Sequence, residues 1–326
     1  ATQWQLMWWK FRRHKLAMLG AVVVLLLYVI ALFCEFFAPY NPNSKVARFK
    51  YAPPQRARFF DDKGRFHLRP FVYGFTREQN PESMRWTYSE DRENQYPLRF
   101  FTRGEPYEFW GLWEADRHLV GLRDAEGQAV TLSLLGRDRM GRDVLSRVIY
   151  GTRISMSIGL VGVIVSLSLG ILLGGVSGYY GGRIDAIIQR VIEFIRSIPT
   201  IPLWMGLAAA LPVDWPPLRL YFGITVILSL VGWTGLARVV RGRFLSLREE
   251  DFVMAAQLYG TGELRIILRH MLPSFMSHII ASITLAIPRM ILSETSLSFL
   301  GLGLRPPIVS WGVLLKDAQN VRAVYS

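Results

Sequence analysis

The sequence predicts an all-α polytopic membrane protein that carries a β-rich insertion on the extracytoplasmic side. Hydrophobic residues make up 51% of the 326 residues and charged residues only 19%, against about 25% charged residues in ordinary soluble domains. The apolar residues are concentrated in long blocks, and the mean hydropathy is +0.24. One polar, aromatic-rich region separates the first block from the others. These observations favour a membrane fold over a soluble one.

The charge and the cysteine content narrow the class of protein further. The net charge of +13 could indicate nucleic-acid binding, but many arginines flank apolar blocks, where a cytoplasmic excess of cations is expected. No nucleic-acid-binding motif accompanies them, so lipid is the expected partner and nucleic acid is not. Cys34 is the single cysteine, which excludes an intrachain disulfide, and no Cys/His pattern predicts a metal site.

The first apolar block, Leu16 to Cys34, is close to the ~20 residues that cross a bilayer. Four basic residues precede the block: Lys10, Arg12, Arg13 and Lys15. They predict a cytoplasmic N-terminus. The block is longer than the apolar region of about 7–15 residues in a signal peptide. We therefore expect residues 1–37 to form a cytoplasmic N-terminus and an uncleaved first transmembrane helix.

Residues 38–149 differ in character from the blocks around them. The stretches RFHLRPFVYGF and YPLRFF combine aromatic and β-branched residues, which is typical of strands. Turn signals such as Asp62-Lys63-Gly64 separate such runs. The region follows the first span outward, and its arginines do not oppose this side because long loops translocate regardless of charge. A β-rich extracytoplasmic insertion domain is expected here.

Residues 150–326 contain the remaining apolar blocks, which predict four further spans. These spans are about Ile154–Tyr180, Ile184–Leu211, Leu220–Leu236 and Phe275–Leu292, the last interrupted by Pro288 and Arg289. Five spans from a cytoplasmic N-terminus leave the C-terminus outside. We expect one more span to follow beyond the C-terminus of this sequence.

Charged residues inside the third predicted span form a candidate site: Asp185, Arg190, Glu193 and Arg196. The spacing of the last three allows i,i+3 pairing on one helix face. Charges within a membrane face protein or water rather than lipid. Two interpretations stay open: an ion pair that faces the helix bundle or the interface, and a gate or part of a translocation path.

The segment from Asp251 to Pro273 lies between spans and predicts two short helices joined by a glycine hinge. The first has an apolar face at helical spacing, formed by Phe252, Ala255, Ala256 and Tyr259; the second has Leu264, Ile267, Leu268 and Met271. Gly260 and Gly262 can supply the left-handed backbone that ends the first helix.

The same segment is expected in the cytoplasm. The residues before it are rich in arginine: Arg238, Arg241, Arg243 and Arg248. Two interpretations are open at this point. The hairpin could lie on lipid headgroups or on its own bundle, or it could dock as a rigid unit into a cytoplasmic partner.

The spacing of this hairpin resembles the EAA loop of bacterial ABC importer permeases. The family pattern is Glu-Ala-Ala, three residues, Gly, nine residues and then Ile-x-Leu-Pro. This sequence has Met254-Ala255-Ala256, then Gly260, then His270 to Pro273. Met254 replaces the acid and His270 replaces the isoleucine, so the Ala-Ala-x₃-Gly geometry is retained without the ion pair that the acid could make.

Three further blocks resemble the oligopeptide/dipeptide permease family, on its C-type subunit: Leu135–Leu160, Gly178–Pro199 and Ser296–Gly312. The resemblance implies a type I ABC importer permease fold for residues 150–326, with a coupling loop at 244–273. It implies a second homologous permease subunit, two ATPase subunits and a periplasmic substrate-binding protein as partners, in the bacterial inner membrane. The coupling residues it implies are Phe252, Ala255, Ala256, Tyr259, Gly260, Gly262, Leu264 and Leu268.

This resemblance describes a transport subunit that is not an enzyme. The sequence has no GxxxxGK[ST] loop, so ATP and Mg²⁺ are expected on the partner ATPases and no cofactor on this chain. The carboxylates of Asp138 and Asp143 are surrounded by arginines, which predicts salt bridges rather than catalysis. The alternative function is an ion-coupled secondary transporter that uses Asp185, Glu193 and Arg196.

Overall fold

The computed structural model describes residues 3–79, 86–123, 129–212 and 214–319. The chain divides into two compact units. Unit 1 comprises Ala1–Ile154 and Val309–Ser326, and unit 2 comprises Ser155–Ile308.

The helices are α1 (Gln3–Arg13), α2 (Lys15–Leu32), α3 (Cys34–Phe37), α4 (Val144–Tyr180), α5 (Gly182–Ser197), α6 (Thr200–Ala209), α7 (Pro217–Leu247), α8 (Asp251–Leu258), α9 (Glu263–Arg265), α10 (Leu272–Ser274), α11 (Met276–Phe299) and α12 (Trp311–Ala318). A 3-10 turn covers Ala47–Phe49, and a π-helical turn covers Ile266–Met271.

The described residues of the insertion form an antiparallel five-stranded sheet in the order β1-β2-β3-β4-β5. Its strands are β1 (Arg58–Phe60), β2 (Phe66–Gln79), β3 (Trp86–Phe109), β4 (Trp113–Arg123) and β5 (Ala129–Val130). Each strand pairs with the next in sequence, as Phe71 with Pro97 and Leu98 with Leu122. The β-rich insertion predicted from the aromatic runs is therefore confirmed.

One face of this sheet covers a small apolar core in unit 1. Its buried residues are Val72, Leu98, Leu122 and Leu132. Tyr40 packs against this core, and its hydroxyl accepts a hydrogen bond of 2.7 Å from the Leu132 amide. Burial raises the pKa of the Tyr40 phenol to about 12, so the phenol stays neutral and holds the residues after β5 against the sheet.

An ionic cluster in unit 1 precedes and enters α4. The Asp138 carboxylate accepts hydrogen bonds from the guanidinium groups of Arg142 at 2.7 Å and Arg147 at 2.8 Å. Arg147 also binds Asp317 of α12 at 3.1 Å, and burial raises the pKa of Asp143. The prediction of salt bridges around Asp138 is confirmed, while Asp143 instead accepts hydrogen bonds from Ser146.

Within the part of the chain that the structure describes, four helices are long and apolar enough to cross a membrane: α2, α4, α7 and α11. The third predicted span is a broken one, since α5 and α6 meet at an angle of 88°. Pro199 lies at the break, and a proline disfavours helical backbone at the residue before it. The bent pair brings the number of spans to five only if it counts as one.

The observed helices extend beyond three of the predicted spans: α4 begins at Val144 rather than near Ile154, α11 ends at Phe299 rather than near Leu292, and α7 is longer as well. α7 continues past Leu236 to Leu247, because a helix that leaves the apolar layer still satisfies its backbone hydrogen bonds. α11 runs without a break through Pro288, where the sequence predicted an interruption. Prolines occur inside membrane helices when neighbouring groups satisfy the freed carbonyl.

Close approach of α4 and α7 in unit 2 depends on small residues. A Cβ atom added at Gly174 would lie 2.4 Å from the Ala237 carbonyl oxygen, and one at Gly178 would lie 2.7 Å from the Arg241 carbonyl oxygen. Any side chain at these positions would push the helices apart. The absence of a side chain at Gly174 and Gly178 therefore permits the close packing of these two helices.

Candidate functional site

The predicted hairpin has its first helix in α8, and the end of that helix has the hydrogen bonds of a Schellman motif. The Thr261 amide donates to the Ala256 carbonyl at 3.1 Å, and the Gly260 amide donates to the Gln257 carbonyl at 2.9 Å. Gly260 has φ +70°, the left-handed conformation that this motif requires. The predicted role of Gly260 as the hinge agrees with this geometry.

Gly262 does not share that conformation, and the expectation of left-handed backbone there is wrong. Its φ is −59° and its ψ is 143°, and it caps the N-terminus of α9. Its carbonyl accepts hydrogen bonds from the amides of Arg265 and Ile266. A single left-handed residue already reverses the chain, so Gly262 is free to start the next helix.

Three side chains anchor the hairpin to unit 2. Val253, Ile266 and Met271 are fully or almost fully buried. They pack in one apolar cluster with Phe244 of α7 and Phe275, whose rings meet edge to face at 5.7 Å. Burial of three large apolar side chains stabilises the hairpin by roughly 1.5–3 kcal/mol each.

The apolar face predicted for α8 points mostly away from this anchor. Phe252 is 41% exposed and Tyr259 is 88% exposed, Ala255 is also exposed, and only Ala256 is half-buried against the cluster. On the second arm, Leu264 and Leu268 are exposed as well. Most of this face therefore does not pack on its own bundle, and both a location on lipid headgroups and docking into a partner stay open for it.

Leu258, which the sequence pattern did not single out, extends this exposed surface. Its side chain is 89% exposed, and it is the last residue of α8, two positions before the hinge Gly260. We define the coupling surface as Phe252, Leu258, Tyr259, Leu264 and Leu268. Exposed apolar side chains that lie together are typical of interaction sites, which makes the coupling surface a candidate for one.

The second arm widens before Pro273. The turn over residues 266–271 is π-helical. In a regular α-helix the ring of Pro273 would clash with the carbonyl of the residue four positions earlier, and the wider turn separates the two. Short π-helical turns occur frequently at functional sites.

Two tyrosines at the end of α4 connect to the hairpin. The Tyr180 hydroxyl donates to the Glu263 carboxylate at 2.5 Å, and the Gln257 side-chain amide donates to the Tyr179 hydroxyl at 3.5 Å. One contact involves each arm of the hairpin. The hairpin is therefore connected to α4 directly as well as through the apolar cluster.

Asp185 joins α5 to α7 and α4. Its two carboxylate oxygens accept hydrogen bonds from Arg241 of α7, each at 2.5 Å. Ser177 of α4 donates a third hydrogen bond at 2.5 Å, and Gln189 in turn donates to the Ser177 hydroxyl at 3.2 Å. A bidentate carboxylate–guanidinium pair is strong and directional, so Asp185 holds α5 in place.

The other three charged residues of this predicted site do not join that network. Arg190 and Glu193 form the expected i,i+3 pair at 3.1 Å, with side chains 85% and 53% exposed. Arg196 is exposed on the same helix. The opposite face of α5 packs Ile192 against Trp233 of α7. The structure thus separates Asp185 from the others, whose part in a translocation path stays a prediction.

Within the described ranges, no group of three or more His, Cys, Asp or Glu side chains could hold a metal ion.

The residues that sequence reasoning missed are the anchors Val253 and Ile266, the exposed Leu258, and the partners Arg241 and Tyr180. No local pattern signals the Asp185–Arg241 pair, whose members are 56 residues apart. The anchor Val253 lies before the hinge Gly260 and the anchor Ile266 lies after it. A single helical period therefore does not connect the two.

Gly260 and Gly262 differ in backbone conformation, and the same change to serine at each position tests this difference. Gly260→Ser is expected to destabilise the hairpin by about 1–2 kcal/mol, because a side chain is forced into left-handed backbone. Gly262→Ser is expected to be neutral or stabilising, because serine is a preferred N-cap residue. Neither added Cβ atom would have a neighbour within 4 Å, so conformation alone separates the two.

Hydrogen exchange of the amides of residues 251–271, measured in nanodiscs, provides the readout. Faster exchange in Gly260→Ser than in Gly262→Ser is expected. Equal exchange in both variants would contradict the hinge assignment.

Two models of known protein families match parts of this chain. Residues 166–325 match the binding-protein-dependent transport system inner membrane component. Residues 2–54 match the N-terminal transmembrane domain of oligopeptide transport permease C. The first match contains the whole hairpin and its anchors, and the second contains α2 and α3.

Curated relatives share this similarity. The dipeptide transport system permease protein DppC of Bacillus subtilis (strain 168) is 40% identical over 182 residues, which are 56% of this chain and 55% of the relative. The oligopeptide transport system permease protein OppC of Haemophilus influenzae is 38% identical over 182 residues, 56% of this chain and 57% of the relative. The chain spans less than two thirds of the length of these relatives. 

A solved methionine ABC transporter, MetNI, is a distant neighbour. Its TM-score is 0.43 at 15% identity, covering 56% of this chain and 89% of that chain. A similarity of this size does not place individual residues.

Proposed function

The chain belongs to the binding-protein-dependent transport permeases, on their oligopeptide/dipeptide branch, and we propose that it is a membrane subunit of an ATP-driven importer. It would pass di- or oligopeptides, or related small solutes, from the periplasm to the cytoplasm. Several apolar helices make it a multi-pass membrane protein. In this proposal the membrane is the bacterial inner membrane, and the N-terminus lies in the cytoplasm.

The observation that carries the proposal is the coupling surface. It combines exposed apolar side chains at the tip, such as Leu258 and Tyr259, with a buried base that includes Val253 and Ile266. A hairpin built in this way is rigid where it meets the helices and apolar where it meets water. Such a surface suits a groove on a soluble partner, and partner ATPase subunits that bind ATP and Mg²⁺ fit this role.

The proposed transmission of force starts at the coupling surface. A partner that moves the hairpin would act on α7 and α11 through the cluster around Phe244 and Phe275, and on α4 through Tyr180. Asp185 would carry the same movement to α5. The remaining proposed partners are a homologous permease subunit, which would complete the pathway, and a periplasmic binding protein, which would deliver the solute.

Copurification of the full chain from its native membrane, followed by mass spectrometry and uptake assays, tests this function. We expect two ATPase subunits, a second permease and a binding protein whose ligand is a peptide. Uptake is expected to stop when the ATPase subunits are removed. Uptake that persists without ATPases and follows an ion gradient would support an ion-coupled secondary transporter instead.

A further inference from the structure

The hairpin between β3 and β4 in unit 1 ends in an unusual turn. The Leu112 amide donates to the Phe109 carbonyl at 2.9 Å, and Trp110 and Gly111 have φ values of +53° and +67°. Two left-handed residues in succession are typical of a type I′ hairpin turn, in which Asn or Gly is preferred at the first position. A tryptophan there costs conformational energy, so surrounding contacts must stabilise it.

Those contacts are with the C-terminal end of α2. The Trp110 indole nitrogen donates to the Leu32 carbonyl at 2.9 Å, and the Phe109 ring stacks on Phe33 at 5.6 Å. Leu32 is the last residue of α2, which is long and apolar enough to cross a membrane and whose side chains are mostly exposed. The turn therefore lies at the level where the chain leaves the apolar layer.

Arg153 of α4 holds the two parts together. Its guanidinium donates to the carbonyl oxygens of Ala31 at 2.8 Å and Leu32 at 2.9 Å. It also binds the buried Glu35 carboxylate at 2.5 Å and lies 4.3 Å from the centre of the Trp110 ring. The guanidinium thus satisfies the last carbonyls of α2 and fixes the tryptophan over them.

Apolar side chains of the turn remain exposed in spite of the contacts with α2. Leu112 is 72% exposed, Trp113 is 59% exposed and Trp110 is 50% exposed, beside Leu32 at 48%. The five residues 109–113, FWGLW, carry no charge. Directly behind them, Glu108 and Glu114 lie opposite each other on β3 and β4, a like-charged pair that requires water or cationic headgroups.

We propose that this aromatic tip, residues 109–113, inserts into the interfacial layer of the membrane at the C-terminal end of α2. Lipid is the occupant because the exposed tip is continuous with the lipid-facing surface of α2 at Leu32 and Phe33. Tryptophan favours this layer, since its ring is apolar and its N–H is polar. The tip fastens the β-sheet to the bilayer surface at a second point besides the chain connection.

Site-specific labelling of the full chain in lipid nanodiscs tests the proposal. An environment-sensitive NBD fluorophore is attached to Leu112→Cys in a Cys34→Ala background. The matched control is Leu68→Cys, an 86% exposed leucine on β2 of the same sheet. Cys34 is fully buried, so the fluorophore does not reach it and the native cysteine can be retained if its removal impairs folding. The chain that keeps Cys34 and carries no introduced cysteine then serves as the blank.

Lipids that carry a nitroxide near the headgroup are expected to quench the label at position 112 at least threefold more than the label at position 68. Aqueous iodide is expected to quench position 68 more strongly. Equal iodide quenching at both positions, without lipid quenching at 112, would overturn the proposal. Protection of position 112 from both quenchers would also overturn it, since a protein partner would then cover the tip.

Discussion

Replacing Leu258 and Tyr259 with aspartate is expected to abolish ATP-driven uptake while the chain still inserts and folds. Both side chains are almost wholly exposed, at 89% and 88%, so their loss removes little folding energy. In a partner groove, each charge would have to be buried without a counter-ion. Truncation of a single interface hot spot costs about 2 kcal/mol or more, which is roughly a 30-fold loss of affinity.

Uptake in proteoliposomes and copurification of ATPase subunits are the measurements. The matched control is Leu258→Met with Tyr259→Phe, which keeps size and apolar character and should retain both properties. Wild-type uptake in the aspartate variant would exclude the coupling surface as a docking site. Substitution of Ala256 with a bulky charged residue is a poorer test, because Ala256 packs on the buried cluster and its variant could fail to fold.

Arg241→Gln is expected to destabilise unit 2 by about 2 kcal/mol. The change leaves the Asp185 carboxylate, whose side chain is 15% exposed, without its cation. Breaking a fully buried pair costs about 3–5 kcal/mol, whereas exposed pairs contribute about 0–1 kcal/mol. This pair lies between those limits because the Arg241 side chain is 31% exposed.

Thermal unfolding in nanodiscs measures this effect, and Arg190→Gln is the matched control. Its pair with Glu193 is exposed, so a loss of at most about 0.5 kcal/mol is expected. The double variant Arg241→Gln with Asp185→Asn should lose less than the sum of the single changes, because neither charge is then left alone. A larger loss in Arg190→Gln than in Arg241→Gln would contradict the separation of Asp185 from the other charges. Reduced uptake with unchanged stability in Arg190→Gln would instead support a translocation-path role for the exposed pair.

Local patterns were sufficient to predict several apolar helices of membrane length and the β-rich insertion. Apolar runs of membrane length and period-2 aromatic runs depend on neighbours in the sequence. The same holds for the hinge, since the Ala-Ala-x₃-Gly spacing places Gly260 just after the helix. Pro199 lies where the third block breaks, but no local pattern predicted the angle of 88° between α5 and α6.

By itself, the sequence determined the class of protein, the family resemblance and the existence of a two-armed hairpin with a left-handed glycine. Only the tertiary structure decided which side of that hairpin is buried. An apolar face at helical spacing can pack inward or remain exposed, and the periodicity is the same in both cases. Contacts of Val253 and Ile266 with distant helices bury the anchors and leave Leu258 and Tyr259 outside. The partners of Asp185 and Trp110 likewise lie far away along the chain, so these contacts form only when the helices and the sheet are assembled.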